Sequence, residues 1–242
     1  MRTTAEQTVR EIALANPASA QVFERLGIDY CCGGNHSLSA ACARANVPLE
    51  AAKRLLAECG EPVNQDVANG ASLGEMTQHI VQRHHGFIRR ESPRIKELFR
   101  KVCDKHGRAH PELLNLKPLF DTLSEELDEH MTKEERILFP YIQTLNDEAS
   151  PSACFASVES PIAVMMADHE NAGAILAKMR TLASGYQPPE SACPTYQALY
   201  RALEEFERDL HWHVHLENNI VFPRAIAAER NRRNTPASAH PI

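Results

Sequence analysis

Little in this 242-residue chain points to a membrane, a β-sheet or a nucleic acid. The longest apolar run near any candidate span, Ile162-Ala163-Val164-Met165-Met166-Ala167, is far short of the about 20 residues a bilayer requires. The first residues, Met1-Arg2-Thr3-Thr4-Ala5-Glu6-Gln7, contain no apolar segment and argue against a secretory signal. Aromatic residues make up only 6% and alternating β-branched runs are scarce, so strand signals are nearly absent. The 26 Lys and Arg form no basic block and are outnumbered by 32 Asp and Glu. That balance argues against nucleic acid as a partner. Seven cysteines, odd in number and without framework spacing, argue against a disulfide-stapled secreted domain. The expectation is a soluble, cytoplasmic, all-α protein with no membrane partner.

Apolar residues reach 43%, enough for a substantial core. Residues 1–60 read as a small unit of short helices. Asn16-Pro17 opens one that runs through Phe23 and Leu26 to stop at Gly27, Ser37 caps another, and Pro48 starts a third reaching about Cys59. Residues 61–72 read as a linker. From 73 to 230 the segments lengthen, with helices expected over 73–105, 112–145, 159–184 and 192–229. Pro93 and Pro118 are expected to kink or offset the first two. Four rods of about 30 residues, each about 45 Å long, make an up-down four-helix bundle. Residues 231–242 are polar and read as a frayed tail.

One pattern occurs twice in the long segment. His130-Met131-Thr132-Lys133-Glu134…Phe139-Pro140 and His213-Val214-His215-Leu216-Glu217…Phe222-Pro223 both read H-x3-E-x4-F-P. A further histidine precedes each copy, His85 by 45 residues and His169 by 44. On a helix, residues i and i+4 share a face, so each pair aims an imidazole and a carboxylate at one point. A carboxylate has two oxygens, which makes Glu134 and Glu217 candidate bridges between two cations. His85 and His169 complete one set each from the facing helices. Two imidazoles per metal plus two shared carboxylates leave positions for solvent, an oxo or hydroxo bridge, or a small ligand. An open nitrogen and oxygen set of this kind suits iron better than closed structural zinc. His84 competes with His85, although only His85 keeps the paired spacing. Glu126 and Asp209, four residues before His130 and His213, are expected to hold those imidazoles in position. The same spacing also fits a solvated acidic helix face.

Cys31-Cys32 precedes Gly33-Gly34 in what reads as a tight turn just after a helix stop. Adjacent cysteines rarely form a relaxed disulfide. They are read either as a redox-active or iron-transferring thiol pair, or as a small apolar pair packed beneath the turn. Cys42, Cys59, Cys103, Cys154 and Cys193 are scattered at helix-like positions and read as structural.

The doubled H-x3-E, Asp168-His169-Glu170-Asn171-Ala172-Gly173, and Gly27-Ile28-Asp29-Tyr30-Cys31-Cys32-Gly33-Gly34 together resemble the iron-sulfur cluster repair proteins of the RIC, or YtfE/ScdA, type. The resemblance spans about Thr8 to Ala228. It implies a hemerythrin-like bundle behind a small ScdA-type domain, with two non-haem irons held by His85, His130, Glu134, His169, His213 and Glu217. It further implies damaged iron-sulfur proteins as clients, NO or O2 as small ligands, and a homodimer. His84 stands where close relatives carry tyrosine, so the choice between His84 and His85 stays open. Oxygen-carrying hemerythrins use an additional histidine in an H-x3-H pair. Here the residue four after His169 is Gly173. Repair by iron donation or NO removal is the first expectation. NO scavenging or reduction is the second, and an O2 or NO sensor module the third; whether the chain is an enzyme is left open.

Overall fold

A computed structural model describes residues 3–59, 71–145 and 155–234. Among them every regular element is a helix, with no strand and only one isolated antiparallel bridge, between Thr8 and Ser37. The residues expected to form a linker lie mostly outside this description, as do Cys154 and positions 235–242 of the expected tail.

Four short helices come first: α1 (Val9–Ala15), α2 (Ser19–Leu26), α3 (Leu38–Arg44) and α4 (Leu49–Ala57). α1, a helix not singled out among the expected elements, starts with a reciprocal capping box between Thr8 and Glu11. α2 begins two residues after Pro17 and ends on Gly27, whose φ of +65° is the left-handed cap that a side chain disfavours. The hydroxyl of Ser37 caps α3, and Pro48 occupies the cap position of α4. Val9, Phe23, Leu38 and Ala52 close a small core of their own, completely buried.

The remaining helices make four rods. The first joins α5 (Leu73–Ile80) to α6 (Gly86–His106) through a π-helical turn, Val81–His85. The second joins α7 (Glu112–Lys133) to α8 (Phe139–Thr144) through Glu134–Leu138. The third is α9 (Glu159–Leu182) alone. The fourth joins α10 (Pro194–Leu216) to α11 (Phe222–Asn234) through Glu217–Val221. Pro93 and Pro118 are both accommodated inside helices, in α6 and α7. α6 packs on α7 and α10, and α7 packs on α9. The fourth rod continues to Asn234, beyond the expected tail boundary. Glu229 anchors it: the buried carboxylate accepts from Tyr141 Oη at 2.6 Å, Ser157 Oγ at 2.8 Å and the Val158 N–H at 2.9 Å.

The bundle interior holds two apolar clusters. One contains Phe99, Phe120, Leu203 and Phe206; the other contains Met76, Phe139, Ile162 and Phe222. Along each rod the change from one to the other occurs where the polar residues of the duplicated motif fall.

Candidate metal centre

The F-P dipeptides explain the local backbone. A proline ring clashes with the carbonyl four residues back and offers no N–H, a clash that a helix can relieve by widening just upstream. Pro140 and Pro223 each lie two residues beyond a π turn, and the preceding amides bond five residues back, Phe139 N–H to Glu134 O and Phe222 N–H to Glu217 O. π turns of this sort occur mostly as single widened turns at functional sites. Each starts at a motif glutamate, and the third, Val81–His85, ends at His85.

Six side chains converge between the two apolar clusters. His85 and Glu134 come from the first two rods, His130 from the second, His169 from the third, and His213 and Glu217 from the fourth; all are buried, at 2% exposure or less. They form two four-residue groups, His85–His213–Glu134–Glu217 and His130–His169–Glu134–Glu217, with ligand atoms within 4.8 Å of one another in each. The same two glutamates belong to both. Glu134 Oε2 is 3.4 Å from Nε2 of His85 and equally far from Nε2 of His130. Glu217 places Oε1 2.9 Å from His213 Nε2 and Oε2 3.1 Å from His169 Nε2. His130 and His169 bring their Nε2 atoms to 3.0 Å.

Two carboxylates in a dry interior are costly unless something positive compensates them. Both oxygens of Glu134, Oε2 of Glu217 and Nε2 of His85 are buried without a hydrogen-bond partner among the described residues. Burial and the neighbouring Glu217 oppose ionisation of Glu134, but His130 and His85 outweigh them and lower its pKa. Burial likewise opposes ionisation of Glu217, which His213 and His169 nonetheless hold well below the usual carboxylate range. Burial disfavours a charged His130, yet Glu134, Glu217 and Asp168 push it up to about 9. Convergent imidazole nitrogens and ionised, unpartnered carboxylate oxygens are the donor set of a cation site.

The partners that orient the histidines differ from those expected. Glu126 does not reach His130; it accepts from Asn171 Nδ2 at 2.7 Å. Asp209 pairs with His84 Nδ1 at 3.0 Å, and His213 Nδ1 has no partner among the described residues. The groups that meet the outer nitrogens are instead neighbours of the motif residues, reaching across from a facing rod. Glu135 Oε1 lies 2.7 Å from His85 Nδ1, Asp168 Oδ2 3.3 Å from His130 Nδ1, and Asn218 Oδ1 2.9 Å from His169 Nδ1. Arg89 and Lys133 tie down Glu135 and Asp168 from outside. Each of these three is adjacent in sequence to a motif residue, the signal that an i−4 rule overlooks. His84 is buried but belongs to neither group; its ring stacks on His213 at 5.6 Å.

Cys31 and Cys32 lie outside the six-residue centre, Cys31 within the apolar cluster of Phe99 and Phe206 and Cys32 packed against it. Both thiols are free, Cys31 buried and Cys32 half-buried. Asp29 Oδ1 accepts from the amides of both and from Cys31 Sγ at 3.2 Å, closing the turn. The contact with Cys32, burial and Asp29 push the Cys31 thiol well above its ordinary pKa. The glycines are required by close approach: a Cβ on Gly34 would lie 2.8 Å from Asn219 Oδ1, and one on Gly33 3.0 Å from Asp29 O. A cleft of about 170 Å³, lined by Glu126, Glu129, His130, Lys133, Asp168 and His169, opens from the centre towards the exterior.

No described helix is long and apolar enough to cross a membrane. Residues 76–225 match the hemerythrin HHE cation-binding domain, and residues 5–58 match the ScdA N-terminal domain, described as being of unknown function. The chain is 34% identical to the iron-sulfur cluster repair protein YtfE of Dickeya chrysanthemi, over 93% of its own length and 98% of that relative. The proteins of the same name from Citrobacter koseri and Escherichia coli are 35% and 36% identical over the same shares. The arrangement of six buried His and Glu side chains behind a Cys-Cys-Gly-Gly turn therefore lies in a chain that belongs to the hemerythrin-domain family of YtfE iron-sulfur cluster repair proteins.

Proposed function

We propose that this protein repairs iron-sulfur clusters damaged by nitrosative or oxidative stress, using two iron ions held at the six-residue centre. His85 and His213 would hold one ion and His130 and His169 the other, with Glu134 and Glu217 offered to both. The observation that carries this reading is the sharing of both buried glutamates by the two histidine pairs. When bound, the irons supply open coordination positions and one-electron redox chemistry. The chain's own residues do the rest. Glu135, Asp168 and Asn218 accept from the outer imidazole N–H groups and leave the inner nitrogens as lone pairs. The apolar clusters on either side limit water, and the cleft beside His130 and His169 gives one face access to the exterior. Damaged iron-sulfur proteins are the clients, with Cys31 and Cys32 as the thiol pair on the delivery side.

Protein purified without oxygen should contain about two irons per chain, and His130→Ala or Glu217→Ala should abolish that content. The loaded protein should restore activity to a cluster enzyme inactivated by NO under reducing conditions. Failure of iron-loaded protein to do so would remove the repair reading. A second reading, NO scavenging or reduction in the cytoplasm, is favoured by the same cleft, which admits a diatomic ligand. Anaerobic titration of the ferrous protein with NO separates them: stoichiometric N2O makes the chain an enzyme, and an unchanged spectrum eliminates NO as a ligand.

A further inference from the structure

The residue after Glu217 touches both the histidine centre and the cysteine turn. Asn218 Oδ1 lies 2.9 Å from His169 Nδ1, while its amide Nδ2 donates to the Cys31 carbonyl at 3.4 Å and faces Cys32 Sγ at 4.0 Å. An amide offers an acceptor and two donors on one rigid plane, so both ends are set by one side-chain rotation. His169 is buried and Asn218 is half-buried in the π turn, which leaves that plane little freedom. We propose that Asn218 is a positioning residue that couples the state of the Cys31-Cys32 turn to the ligand geometry of His169, and the reverse. The inference rests on the reading of His169 as a metal ligand.

The chemistry runs in both directions. When the inner nitrogen of His169 is engaged by a cation, the outer N–H becomes a stronger donor and pulls the Asn218 carbonyl into a fixed orientation. The opposite end of the same amide then holds the Cys31 carbonyl and closes the turn over Cys32. Conversely, a group attached to Cys32 occupies the space that Nδ2 faces, turns the amide and withdraws the acceptor from His169. Linkage requires the two effects to be equal in free energy. The neighbouring Asn219 does not provide this path. Its Nδ2 donates to the Tyr30 and Cys31 carbonyls and pairs with His215, and among the described residues it makes no side-chain hydrogen bond to the six convergent residues.

The test is the rate at which iodoacetamide alkylates Cys32, followed by mass spectrometry of its peptide, in metal-free and iron-loaded full-length protein. Alkylation should be slower in the loaded form, on the order of fivefold. Cys32 alkylated beforehand should weaken iron binding, measured as equilibrium competition with a chelator, on the order of fivefold. In Asn218→Leu both differences should vanish. Asn218→Asp keeps an acceptor for the His169 N–H but loses the amide donors, so the alkylation difference between its metal-free and iron-loaded forms should vanish. If the wild type binds iron but alkylates equally fast in both forms, or if Asn218→Asp preserves the difference, the coupling is wrong and the metal reading stands. If the wild type binds no iron, both fall together.

Discussion

At the residue scale the two adjacent histidines of the first rod separate cleanly. His85 points its inner nitrogen at Glu134 and its outer one at Glu135, whereas His84 pairs with Asp209 and stacks flat on His213. His85→Ala should therefore lose iron, and His84→Phe, which keeps a flat ring against His213, should retain it. Metal analysis of the two variants decides this, and loss of iron from His84→Phe alone would reverse the assignment. The facing carboxylates that raise His130 to about 9 set a second expectation. Below that pH the imidazole carries a proton that a cation must displace. Metal affinity should then fall as pH drops, by up to about tenfold per unit for each proton displaced, and level off above about pH 9. Cobalt binding followed from about pH 6 to 8 measures it, and a flat profile would exclude the competition. The six convergent residues were legible in sequence because duplication is hard to produce by chance. Their orienting partners were not, because Glu135, Asp168 and Asn218 act across the bundle, on helices whose relative rotation a linear pattern does not contain.

At the element scale the motif carries its own backbone instruction. Regular i, i+4 geometry accounts for the His and Glu spacing, but the Phe-Pro that follows had no role until the π turns appeared. Widening the helix at Glu134–Leu138 brings Glu135 to the face where it meets His85. Pro140→Ala restores an N–H and removes the ring, allowing the turn to tighten towards ordinary α geometry. The expected result is a helix at least as stable but a misplaced Glu135, with metal retention against a chelator weakened by about tenfold, as for other losses of an outer ligand contact. Unchanged retention would mean that the π turn is set by packing and not by the proline. Most rods fell within a few residues of their expected bounds, since apolar periodicity and caps such as Ser72-Glu75 are local signals. The fourth rod outran its expected end because its last turns are held by Glu229 contacts to residues far away in sequence.

At the scale of the whole molecule the question is what fastens the small helical unit to the bundle. Tyr30 is nearly inaccessible, with its ring 5.4 Å from His215, and Trp212 stacks on the same histidine at 5.1 Å. Asn219, also buried, donates from one amide to the carbonyls of Tyr30 and Cys31 at 3.2 Å each and pairs with His215 Nδ1 at 3.0 Å. Gly34 has no side chain because Asn219 occupies that space. Gly34 and Asn219 lie 185 residues apart in the sequence, and only the docked structure shows that they meet. Asn219→Ala should remove one donor each from the Tyr30 and Cys31 carbonyls, which His215 Nδ1 and Asn218 Nδ2 still reach, at a cost of about 1 kcal/mol. Because the Asn219 side chain makes no hydrogen bond to the six convergent residues among those described, iron content should not change. Amide exchange over residues 29–34 should accelerate, while exchange within α6 and α7 stays slow. Equal protection of the turn in variant and wild type would show that Tyr30 and Trp212 hold the interface without the amide. Accelerated exchange with iron retained would separate the fastening of the thiol turn from the holding of the metals, assigning the first to Asn219 and leaving the link between them to Asn218.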